Sequence, residues 1–218
     1  MEVHTLQGAL FDLDGTLLDS TGVWAQIDAQ ILAQFGIDKP AGFSETVKSM
    51  SIAESSRYFV ETFSLPCAPE EIARMAESMA KEAYEDNLPL KPHAVELLDF
   101  LDARHIPYGV VTATYGKLAE AALRRLQVWD RMAFLLTEEQ VGAPKTDPRI
   151  FYEGASRLHL GRRQVLVAED SLYCVQTAKA AGFFTVGVRD PSGEHEWAEM
   201  QKTATVTVED LLDICTVF

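Results

Sequence analysis

The chain has 218 residues, 47% of them hydrophobic and 24% charged, a balance that suits one globular domain, alone or with a smaller insert, and excludes a disordered chain. Its 33 acidic against 19 basic residues leave a formal charge of −14, which repels phosphate backbones and anionic bilayers, so neither nucleic acid nor a membrane is an expected partner. Cys67, Cys174 and Cys215 form no CxxC pair, and no basic stretch precedes a long apolar one at the start, so reduced thiols in a cytoplasmic, untargeted protein are the expectation.

In chain order, the apolar run Gly8 to Leu13 stops at Asp14-Gly15 and reads as a buried strand ending in a turn. Asp19 or Ser20 is positioned to cap a helix along which Trp24, Ile27, Ile31, Leu32 and Phe35 fall at helical spacing before Gly36. Phe43 to Phe63 is helix-like, Leu65 to Pro69 a loop, and Ile72, Met75, Met79 and Ala83 mark a further amphipathic helix. Residues 20 to 88 therefore read as all-helical. After Pro92 the pattern changes. Val95, Leu98 and Leu101 share a helix face, and strands are predicted at Tyr108 to Ala113, Ala133 to Thr137, Val165 to Ala168, Phe184 to Val188 and Ala204 to Val208. Helices are predicted between them at Lys117 to Leu126, Pro148 to Leu158 and Leu172 to Ala181, with a last one at Val208 to Ile214. This alternation predicts an α/β fold, a doubly wound parallel sheet covered on both faces, with a helical insert after its first strand.

Open parallel sheets bind ligands beyond the carboxyl ends of their strands. Those ends carry Asp12-Leu13-Asp14-Gly15-Thr16, then Thr112-Ala113-Thr114, then a segment leading to Lys145, then Glu169-Asp170. Asp12 and Asp14 are two apart and can face one pocket. Clustered carboxylates repel and call for a cation; Asp12, Asp170 and a backbone carbonyl are oxygen ligands that suit Mg²⁺. Lys145 and Thr112 offer a positive charge and a hydroxyl donor to a phosphoryl oxygen. Carboxylate nucleophile, second carboxylate, magnesium and lysine together describe phosphoryl transfer through an aspartyl-phosphate.

Phe11-Asp12-Leu13-Asp14-Gly15-Thr16-Leu17 resembles the first motif of the haloacid dehalogenase-like (HAD) hydrolases. Thr112 after Val110-Val111, Lys145 ahead of Phe151, and Ala168-Glu169-Asp170-Ser171 resemble the second, third and fourth, with Gly182-Phe183 at the turn that follows. The resemblance implies a Rossmann-like core of residues 1–16 and 91–218 and a helical C1 cap at 17–90, of the phosphatase and β-phosphoglucomutase branch. It implies that Asp12 is the nucleophile and Asp14 the general acid and base. Thr112, the Ala113 amide and Lys145 would bind the phosphoryl oxygens. Asp12, the Asp14 carbonyl and Asp170 would hold Mg²⁺, aided by Glu169 directly or through water. Cap movement is expected about hinges near Leu17-Leu18 and Pro89-Lys91.

The cap distinguishes the catalytic readings. Trp24 stands where β-phosphoglucomutases carry a histidine, and Lys48-Ser49-Met50-Ser51-Ile52-Ala53-Glu54 has no arginine after its serine. A phosphatase acting on a small phosphorylated metabolite, such as a sugar phosphate, is the expected function. A phosphosugar mutase is the alternative, and a non-catalytic HAD-like module a second one. Trp24, Lys48, Met50, Ser51 and Glu54 are the expected specificity residues of the cap, Glu54 disfavouring a second anionic group on the substrate. The expected assembly is a monomer or weak homodimer.

Overall fold

The computed structural model describes residues 6–47 and 50–218. These divide into two compact units: residues up to Thr21 with Leu88–Phe218, and Gly22–Asn87. The division falls at 21/22 and 87/88 because the two connecting stretches are bonded to each other inside the first unit. Lys91 N–H donates to the Leu17 carbonyl at 2.8 Å, and Asp19 N–H to that of Pro89 at 2.9 Å. Leu18 forms an antiparallel bridge with Leu90. No described helix is long and apolar enough to cross a membrane.

The first unit is built on six parallel strands: β1 (Gly8–Phe11), β2 (Tyr108–Thr112), β3 (Leu135–Thr137), β4 (Val165–Glu169), β5 (Phe184–Val188) and β6 (Val206–Val208). Their order is β3-β2-β1-β4-β5-β6. β1 is central, and the chain leaves it first toward β2 and β3, then returns to build β4 to β6 on its other side. That reversal opens a crevice beyond the carboxyl end of β1, the usual ligand position in such a sheet. β1, β2 and β4 are buried along their whole length, as their continuous apolar sequences require of strands covered on both faces. Leu10, Val111, Ile150, Phe151, Val167 and Phe183 lie in one core cluster. Gly154 permits a close approach to it, since a Cβ there would come 2.8 Å from the Leu10 side chain.

The Gly22–Asn87 unit is helical: α1 (Val23–Gln34), α2 (Phe43–Val47), α3 (Ile52–Phe63) and α4 (Pro69–Glu82), with a wide turn at Ala83–Asn87. Phe43 anchors its core, with Phe59 edge-on at 4.7 Å and Phe63 at 5.2 Å between ring centroids. The first unit adds α5 (Ala94–Ala103), α6 (Gly116–Arg125), α7 (Glu138–Val141), α8 (Arg149–Arg157), α9 (Leu172–Ala180) and α10 (Trp197–Thr203).

Several expectations are corrected. Neither Asp19 nor Ser20 caps α1; Gly22 stands at that position in a left-handed conformation (φ 80°) without a side-chain cap, because residues 13–19 are spent on the turn and ladder after β1. Val95 is exposed, and α5 buries Ala94, Leu97, Leu98 and Leu101 instead. The last segment is a 3₁₀ helix at Leu211–Val217, and α7 and α10 were not foreseen.

Candidate active site

Asp12 follows β1, and its N–H continues the ladder to the Ala168 carbonyl of β4 at 3.0 Å. Its side chain is therefore delivered to the crevice beside the end of β4, where Glu169 and Asp170 stand. Asp12, Glu169 and Asp170 are all buried, and each brings a carboxylate oxygen within 4.8 Å of the others. Lys145, 2% exposed, reaches into this group. Its Nζ donates to Asp12 Oδ1 and, at 2.7 Å, to Glu169 Oε1. The second oxygen of Glu169 accepts the Ser171 N–H at 3.1 Å, so both Glu169 oxygens are engaged by protein donors.

The electrostatics follow from this crowding. Burial, then the charges of Glu169, Asp170 and Asp14, push the Asp12 carboxyl well above its ordinary range, and Lys145 opposes them only in part. Burial would lower the Lys145 ammonium, but the Asp12 and Glu169 charges outweigh it and raise it. Three buried carboxylates against one ammonium leave a negative excess, and a second cation there would draw the Asp12 carboxyl back down toward its ordinary range. The donors are all oxygens, which is the chemistry of a hard divalent cation. Gly15 adds a steric observation. It lies at φ +81°, and a Cβ on it would fall 2.7 Å from Asp170 Oδ2, so only glycine lets the turn close on this carboxylate.

Asp14 is half-buried, and its carboxylate is not among the three clustered ones. It accepts a hydrogen bond from Thr114 Oγ1 at 2.5 Å. The Thr114 N–H in turn donates to Thr112 Oγ1 at 3.0 Å. Thr112, the buried last residue of β2, thus holds the loop that holds Asp14; Ala113 between them is exposed. In the sequence Thr114 stands only as part of the strand end Thr112-Ala113-Thr114, with no pattern that gives it a role. Glu138 was also missed. Its carboxylate accepts the Lys145 N–H at 2.6 Å, fixing the backbone of the lysine. The Thr-Glu-Glu-Gln pattern that starts α7 carried the signal, because Thr137 and Gln140 form a reciprocal capping box there.

The expected cap residues belong to the other unit. Trp24 is on α1, its ring 6.4 Å from that of Tyr84. Ser51 caps α3 and shares a capping box with Glu54: Ser51 N–H donates to Glu54 Oε2 at 2.9 Å, and Ser51 Oγ to the same oxygen at 2.7 Å. These bonds hold the Glu54 carboxyl below its ordinary value. Met50, half-buried, precedes that cap. Lys48 lies outside the described residues.

The model of the haloacid dehalogenase-like hydrolase family matches residues 9–188. The chain belongs to this family. Among its relatives, the validoxylamine A 7'-phosphate phosphatase of Streptomyces hygroscopicus subsp. limoneus is 30% identical, over 94% of each chain. The phosphoglycolate phosphatase of Escherichia coli (strain K12) is 27% identical, over 84% of this chain and 81% of its own. The solved β-phosphoglucomutase of Clostridium difficile superposes with a TM-score of 0.73 at 23% identity, over 96% of this chain and 93% of its own, and shares the fold. The two named relatives are phosphatases, and the chain is a hydrolase of their family.

Proposed function

We propose that the protein is a Mg²⁺-dependent phosphatase that hydrolyses a small phosphomonoester through an aspartyl-phosphate on Asp12. The observation that carries this reading is the buried Asp12 carboxylate, paired with Lys145 at the switch point of the sheet and crowded by Glu169 and Asp170. Such a group is a poor structural ion pair, because its charges do not balance. It is suited to receive a dianionic phosphoryl group together with a metal ion. Asp12, Asp170 and the Asp14 carbonyl would hold Mg²⁺, which supplies charge neutralisation at the phosphoryl oxygens when bound. Glu169, with both oxygens already accepting protein hydrogen bonds, acts through water.

The steps then use this chain's own residues. Asp12 attacks phosphorus, and the bond from phosphorus to the ester oxygen breaks. Asp14, held by Thr114, gives its proton to that oxygen and the alcohol leaves. Asp14 then removes a proton from water, whose oxygen attacks the phosphorus of the acyl phosphate. Inorganic phosphate leaves and the Asp12 carboxylate is restored. Lys145, the Thr112 hydroxyl and the Ala113 amide bind the phosphoryl oxygens through both steps. Thr112 Oγ1 accepts from Thr114, which leaves its hydroxyl hydrogen to donate to a phosphoryl oxygen.

Phosphate release across a panel of sugar phosphates and small phosphorylated metabolites, with Mg²⁺, tests the reading. Release from some compounds is expected, lost in Asp12→Asn and on addition of EDTA. Turnover that survives either change overturns it. A β-glucose 1-phosphate arm with a bisphosphate primer tests the mutase alternative, whose mark is glucose 6-phosphate without free phosphate.

A further inference from the structure

We propose that Asp190 is a positioning residue that locks both connections to the inserted unit onto the loop backing Asp170. Asp190 follows β5 and is 3% exposed. Its Oδ2 takes two bonds, one from each connection: Thr21 Oγ1 donates at 2.8 Å, and Lys91 Nζ lies at 2.8 Å. Thr21 is the last residue before the Gly22–Asn87 unit, and Lys91 stands just after it. Lys91 Nζ donates a second bond, at 3.0 Å, to the Arg189 carbonyl. The other Asp190 oxygen accepts the Ser192 N–H at 2.9 Å, and the Asp190 carbonyl accepts the Gly193 N–H at 3.0 Å. That turn lies against Asp170, since a Cβ on Gly193 would be 3.4 Å from the Asp170 carbonyl oxygen. One carboxylate thus joins three pieces of chain: the segment that carries Asp14, the returning connection, and the backing of Asp170. Arg125, on the helix after Thr112-Ala113-Thr114, adds a fourth tie by donating to the Leu88 carbonyl.

Lys91 and Asp190 form a buried pair with every bond directional. The pair is 10% and 1% exposed at its side chains, and removing one partner leaves a buried charge uncompensated. The consequence for movement is specific. Leu17-Leu18 and Pro89-Lys91 are inside the bonded ladder, and with the lock in place they are expected to be held rather than to pivot. The Gly22–Asn87 unit begins just past this ladder, at Gly22, whose left-handed φ of 80° is open to glycine. The catalytic half of the proposal rests on the phosphatase reading; the exchange measurement below needs no substrate, so the two stand or fall separately.

Hydrogen exchange on the full chain tests it, comparing the parent with Asp190→Asn, Lys91→Met and the double variant. Amides of residues 14–21 and 88–92 are expected to exchange about tenfold faster in either single variant, the cost of one charged hydrogen bond. The Tyr108–Thr112 amides keep their rate, and the double variant is no worse than the worse single. The kinetic counterpart is a several-fold lower kcat with KM within about twofold. A uniform rise in exchange over the sheet, unchanged exchange at the two connections, or local loosening with kcat intact each overturns the proposal. Should Asp190→Asn fail to fold, Thr21→Val removes one bond only and is expected to loosen residues 14–21 alone; no change there counts equally against the lock.

Discussion

Lys145 carries the heaviest load of any single side chain in the site, because it is the ammonium at the centre of the carboxylate cluster. Lys145→Met removes it and leaves buried negative charge uncompensated, a change that costs about 3–5 kcal/mol for a broken buried pair. Urea unfolding in metal-free buffer is expected to show this loss, and added Mg²⁺ to recover part of it, while phosphate release stays abolished. Thr114 is a smaller case of the same logic. Its one hydroxyl orients Asp14, and a hydrogen bond to a charged group is worth about 1.5–3 kcal/mol. Thr114→Val is expected to lower kcat about tenfold or more at nearly constant KM, and Thr114→Ser to restore it. An equal kcat in Thr114→Val would remove the threonine from the mechanism.

At the scale of elements, the sheet was legible and the caps were not. The strands are short continuous apolar runs bounded by charged or turn residues, the pattern of strands buried on both faces. So β1, β2, β4 and β5 stand where their sequences place them, each shifted by two residues at most. The four groups at their carboxyl ends were readable for the same reason, since strand order alone brings Asp12, Thr112, Lys145 and Asp170 to one edge. What escaped depends on contacts across the fold. Thr21, next to the expected cap residues Asp19 and Ser20, carries no sign in the sequence that Asp190, 169 residues away, takes its hydroxyl. Val95 shares a period with Leu98 and Leu101, but the core meets the neighbouring face of α5. Ser51 and Glu54, expected as specificity residues from their position, also form a capping box, a local contact that their spacing of three already offers. Packing makes its own prediction here. Leu10 is fully buried in β1 beneath Gly154. Leu10→Ala is therefore expected to cost about 2–5 kcal/mol by denaturant unfolding; a value under ~1 kcal/mol would mean that α8 collapses into the space.

Across the whole molecule, charge sets the response to conditions. With a formal charge of −14 and an uncompensated acidic centre, the protein is expected to gain thermal stability from Mg²⁺. A ligand at 100 times its dissociation constant adds about 2.7 kcal/mol. A scan of Tm against Mg²⁺ should rise for the parent and rise much less for Asp12→Asn. Acid acts through Asp190. Burial would raise its carboxyl, but the hydrogen bonds from Lys91 and Ser192 prevail and hold it below the ordinary value. Its stabilisation is therefore fully present above the unfolded pKa of about 3.9 and is lost as pH falls through the lower folded value. Asp190→Asn should flatten the acid limb of a stability-pH curve in that window.

The central place of β1 also shapes how the chain is born. Ala9 pairs with Tyr108 on one side and Leu166 on the other, so β1 must wait for partners made about a hundred residues and more after it. At about 5–20 residues per second, its nearer partner is roughly 5–20 seconds behind. For that interval the run Gly8 to Phe11 has two open edges and invites pairing with other chains. The Gly22–Asn87 unit lies between β1 and β2 and is made within that interval. Yield in a cell is therefore expected to respond to elongation speed and chaperone supply as well as to the finished protein's stability.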